Sequence, residues 1–98
     1  MLKFFRIKGS SLFPLLKEGE VVLCLKIFSF NKIKVNDIVL FNHKTYGLMI
    51  KKVTSIKNDN YFVKGESIDS IDSRDFGELK RSDLLFKVLF KIKFISWI

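Results

Sequence analysis

One cysteine, one proline and one histidine occur in 98 residues, and each scarcity removes a class of explanation. Cys24 has no partner for an internal disulfide, and its place in Val21-Val22-Leu23-Cys24-Leu25 makes it a small core residue. His43 sits in a polar stretch without a fitted partner, so a serine-histidine-aspartate triad is poorly supported. Neither belongs to a cluster with metal-ligand spacing, and neither a metal nor an organic cofactor is expected. No apolar run approaches the roughly 20 residues that span a bilayer, and no charged-then-apolar leader opens the chain. The expectation is a cytoplasmic protein without a transmembrane anchor, leaving peripheral contact as its one route to a membrane. Repeats, linkers and low-complexity tracts are missing too, so residues 1–98 read as a single domain.

Acid is also in short supply. Eighteen Lys and Arg stand against ten Asp and Glu, a formal charge of +8 at pH 7. The lysines are scattered along the whole chain, which raises affinity for acidic partners without forming a tail or stripe. A basic β-domain that engages nucleic acid is the alternative this composition allows, but no aromatic-glycine signature or localised basic patch supports it.

Apolar material is plentiful, at 48% of residues with eleven Phe, and its pattern is β. Phe4 to Lys8 reads as a first strand, and Glu18-Gly19 as a turn. Val21 to Ile27 reads as a strand buried on both faces. Asn36-Asp37 is a turn ahead of Ile38-Val39-Leu40-Phe41, and Asn42 to Gly47 is a hairpin loop. Leu48 to Lys57 and Tyr61 to Lys64 pair across Asn58-Asp59-Asn60. Gly65 to Gly77 has no periodic apolar pattern and is a long loop, which in so small a domain points to function. Arg81 to Leu84 forms a short helical turn capped by Ser82 or Asp83, and Leu84 to Ile98 reads as the last strand.

Three segments suggest chemistry. In Ile7-Lys8-Gly9-Ser10-Ser11-Leu12-Phe13-Pro14, small polar residues lie between an apolar strand and a proline-stopped turn, an arrangement that exposes a hydroxyl on a bend. In Ile50-Lys51-Lys52-Val53, adjacent strand residues point opposite ways, so one lysine points inward if either face is covered. Burial disfavours an ammonium and turns lysine into a base that can activate a serine. The third segment is Ser70-Ile71-Asp72-Ser73-Arg74. Read singly, these are turn serines, solvated strand lysines and a loop ion pair.

Taken together and in order, they resemble the type I signal peptidase family. The matching residues are Gly9-Ser10-Ser11-Leu12-Phe13-Pro14 with Gly19-Glu20, Asn36-Asp37-Ile38-Val39, Ile50-Lys51-Lys52-Val53, Gly65-Glu66, Ser70-Ile71-Asp72-Ser73-Arg74 and Gly77. They cover most of the chain. Its short length and aromatic-rich last strand look most like the small soluble proteases that mature nickel-type superoxide dismutase. The resemblance implies a mostly β, coiled and partly closed sheet of the signal-peptidase and SOS-repressor type. It implies a serine endopeptidase that removes an N-terminal leader from a precursor, here the nickel superoxide dismutase precursor, or else another secreted or modified peptide.

By the same resemblance Ser11 is the nucleophile, Lys51 the general base and Ser70 the residue that orients the base. Asp72 and Arg74 brace the site, and backbone around Gly9, Ser10 and Ser11 forms the oxyanion site. Leu12 stands where the family has methionine, Lys52 where it has arginine, Glu20 and Glu66 where it has aspartate, and Ser67 where it has asparagine. Gly9 offers no side-chain hydroxyl, and the gap from Gly65 to Ser70 is one residue short. Self-cleaving SOS repressors share the dyad but carry a cleavable segment ahead of the serine. Only ten residues precede Ser11, so cleavage in cis is not expected.

Overall fold

The computed structural model describes residues 1–9, 12, 15–28, 32–66 and 71–92. Seven strands form: β1 (Leu2–Arg6), β2 (Val21–Lys26), β3 (Ile38–His43), β4 (Gly47–Lys57), β5 (Asn60–Lys64), β6 (Leu79–Lys80) and β7 (Leu84–Ile92). All belong to one antiparallel sheet in the order β1-β2-β7-β3-β4-β5-β6. The fold is mostly β, as the sequence indicates. The partial closure expected of it is not seen, because β1 and β6 are the two edges of an open sheet.

Local chemistry sets the strand ends. β4 and β5 are joined by Asn58 and Asp59, both at positive φ (51° and 63°), the paired left-handed residues of a tight hairpin whose twist matches the flanking strands. Asn42 and His43 continue β3 instead of lying in the loop, which leaves only Lys44–Tyr46 as the turn. Extra residues on one strand, Leu89 opposite the Leu23/Cys24 step and Leu85 opposite the Leu40/Phe41 step, break the register of β7. Such bulges bend a strand and increase its twist, so a flat run of apolar residues becomes a curved sheet.

β3 divides the core. Val39 and Phe41 face one side with Val53, Tyr61, Val63 and Leu79. Leu40 faces the other with Ile7, Leu12, Leu16, Val22, Cys24 and Phe86. β2 departs from the expectation of burial on both faces: Val22 and Cys24 are buried, whereas Val21, Leu23 and Leu25 are only half covered. That second face stands beside exposed Leu2, Phe4 and Phe90. Within the expected 65–77 loop lies a one-turn helix, α1 (Ser73–Phe76). A single turn is too short to leave a periodic apolar signal, and the two-residue β6 that follows was invisible for the same reason. The short helical turn at Arg81–Asp83 is held by Asp83 Oδ2, which accepts from Lys80 N at 2.8 Å; Ser82 is not its cap.

Candidate functional site

Lys51 is the inward member of the lysine pair. It lies opposite Val39 in the β3–β4 register and two residues from Val53, so its stem joins the apolar face, and only 3% of the residue is exposed. Lys52 points the other way and bonds Glu66 at 2.8 Å. Burial pushes the Lys51 amine below its ordinary value of 10.5, with Asp72 and Asp75 opposing that shift and Arg74 reinforcing it. The carboxylates that act on it also have other partners: Asp72 is paired with Arg74, and Asp75 Oδ2 accepts from Asp72 N. Such a lysine gives up its proton at a lower pH than a surface lysine does.

The β4 backbone at this point has an open side. β3 pairs with β4 from Gly47 to Lys52, but β5 pairs with it only from Lys52 onward. Among the described residues, Gly47 to Lys51 therefore have a strand on one side only. Across a groove of about 230 Å³, Phe5, Arg6, Ile7 and Lys8 face Leu48, Met49 and Ile50, with buried Leu40 beneath. Lys8 and Lys51 also line an adjoining pocket of about 200 Å³ together with Tyr46. The chain leading toward Ser10 and Ser11 thus shares a pocket with the buried lysine.

The described residues before and after these serines are tied together. Ile7 N donates to Glu20 O at 2.7 Å, Gly19 N to Ile7 O at 2.8 Å, and Gly9 N to Glu18 Oε1 at 3.3 Å. Gly9 has φ +80°, a left-handed conformation that a side chain would strain even though open space surrounds its Cα. Leu12 and Leu16 are buried at 2% and 3%, and Leu16 N bonds Leu12 O, so the apolar plug beyond the serines is anchored in the core. Ser10 and Ser11 themselves, and Ser70, lie outside the described residues.

Asp72 is the hub beneath Lys51. Its carboxylate is fully buried and accepts from Arg74 Nε (2.9 Å), Arg74 Nη2 (2.7 Å), Arg74 N (3.0 Å) and Gly65 N (3.0 Å). Burial alone would raise its pKa, but the bonds from the Arg74 guanidinium and the backbone amides outweigh burial and hold it at about 2. Asp72 also begins α1, with Asp75 Oδ2 accepting from Asp72 N at 3.1 Å in a reciprocal cap.

One site-supporting residue escaped the sequence reading. Ser73 is buried, and its Oγ accepts from Val63 N at 2.9 Å, tying α1 to β5. Its only signal was a small hydroxyl beside Asp72, which any loop serine would give. Cys24 is also buried, and burial raises its thiol to about 11, so it stays an unreactive core residue.

Comparison with known proteins finds no family that matches this chain and no curated protein that matches it. Among the described residues, no helix is long and apolar enough to cross a membrane, and no group of three or more His, Cys, Asp or Glu converges as a metal site would.

Proposed function

We propose that the protein is a serine endopeptidase with a seryl-lysine dyad, Ser11 as nucleophile and Lys51 as base. The observation that carries this reading is the buried Lys51, its amine depressed by burial, in a pocket it shares with Lys8 at the start of the serine bend. A lysine without function is rarely placed there, because a buried cation costs free energy that an apolar residue at the same position would not.

In this reading an extended peptide lies along the open side of β4 between Gly47 and Lys51, forming main-chain bonds of the strand-addition kind. Neutral Lys51 takes the Ser11 hydroxyl proton as Oγ attacks the scissile carbonyl. The backbone N–H of Ser11 donates to the oxyanion. Lys51 then returns the proton to the leaving amine, and water, activated by the same amine, releases the acyl group and restores both residues. Ser70 orients the amine, and Asp72, gripped by Arg74 and bonded to Gly65 N, fixes the start of α1 near it.

The substrate is a precursor with an N-terminal leader, for which the family resemblance favours the nickel superoxide dismutase precursor and leaves another leader-bearing peptide as the second choice. Incubating the purified protein with that precursor should give a mass decrease equal to the leader. Ser11→Ala should give none. Cleavage by Ser11→Ala at the parental rate would remove the protease assignment.

A further inference from the structure

We infer that the groove selects peptides carrying an acidic side chain close to the scissile bond. Arg6 and Lys8 stand on one wall, and Lys51 lines the adjoining pocket with Lys8. Among the described residues lining these two cavities there is no carboxylate. Lys44 adds a further cation on the exposed turn that carries Tyr46. Glu18 is the acid beside this wall, and it is turned to the Gly9 amide; Glu20 is bonded to Lys17 N and Lys91. Arg6 Nη1 reaches Gly19 O at 3.1 Å, which fixes its guanidinium near the base of the bend, whereas Lys8 is exposed at the groove itself.

The rest is peptide geometry. An extended substrate on β4 presents alternate side chains to the groove at about 3.3 Å per residue. Those side chains meet an apolar floor at Leu40 and Met49 and a cationic wall at Lys8. An Asp or Glu there gains attraction, a Lys or Arg is repelled, and a neutral amide of the same shape gains neither. The preference rests on the endopeptidase reading for the line the peptide follows, but not on the chemical step.

Its test measures binding apart from cleavage. Fluorescein-labelled extended peptides of a neutral host sequence, each with Asp, Asn or Lys at one successive position, are titrated against Ser11→Ala protein by anisotropy. At one or two positions Asp should bind about 2- to 5-fold tighter than Asn, with Lys weaker than both, the size expected of an exposed ion pair. The difference should vanish between about 0.01 M and about 1 M salt, as the screening length falls from about 30 Å to about 3 Å. Lys8→Glu should invert the order. Equal affinities for Asp, Asn and Lys at every position, or an unchanged order in Lys8→Glu, would overturn the inference. The same Asn peptides incubated with the parent protein separate the two claims. Cleavage without an Asp preference overturns only the selectivity, and an Asp preference without cleavage sustains the selectivity and counts against the protease.

Discussion

Arg74 grips Asp72 through two near-parallel hydrogen bonds, Nε to Oδ1 at 2.9 Å and Nη2 to Oδ2 at 2.7 Å, with the carboxylate wholly buried and the guanidinium partly in solvent. The two ends of this pair are therefore unequal. Removing the arginine strands a buried charge, whereas removing the aspartate leaves a cation that can turn to water.

Arg74→Met should accordingly cost about 3 kcal/mol, at the lower end of what breaking a buried pair costs, because two backbone N–H groups still serve the carboxylate. Asp72→Ala should cost less, about 2 kcal/mol, mainly through the lost helix cap and the stranded Gly65 amide. Urea melts of both variants measure the difference. Equal losses, or a larger loss for Asp72→Ala, would contradict the asymmetry.

The same carboxylate makes a prediction for acid. Its folded pKa of about 2 lies below the ordinary value of 3.8, so its stabilisation is fully present above pH 3.8 and is lost as pH falls toward 2. The loss amounts to about 2 kcal/mol at 1.36 kcal/mol per unit. Stability curves across that range should be flatter for Asp72→Asn than for the parent. Identical slopes would mean that the pair is not bonded as described.

Ser73→Ala should destabilise by about 1–3 kcal/mol, the cost of leaving a buried N–H, here that of Val63, without its acceptor. Because the substitution also loosens α1 from β5 beneath Lys51, cleavage should slow without the active groups being touched. Ser73→Thr tests whether the hydroxyl suffices. An unchanged melting temperature in Ser73→Ala would show that Val63 N finds another partner.

Much of this architecture was legible in the chain. The β-branched runs marked β2 to β5, and Asn58-Asp59 marked their tight turn, because strand alternation and left-handed turn residues are local signals. The lysine pair said that one side chain must point inward but not which one. The resemblance picked Lys51, and it is the register opposite Val39, a non-local fact, that puts this side chain on the covered face. The half-covered outer face of β2 likewise depends on what packs against it, which no stretch of β2 itself encodes. The groove left no local signal in the chain. Its position follows from β5 being five residues shorter on one side of β4, so that among the described residues Gly47 to Lys51 have a strand on one side only.

The most direct test of the account is the pH dependence of leader cleavage by the parent and by Lys51→Met. Below its depressed folded pKa Lys51 is an ammonium and cannot accept the Ser11 proton. The parental rate should therefore rise along one ionisation with a midpoint below 10.5 and then level off. Lys51→Met should not cleave at any pH. It should nevertheless melt at or above the parental temperature, since it removes a buried cation and keeps the apolar stem. Substantial cleavage by Lys51→Met with the parental pH profile would contradict the seryl-lysine mechanism.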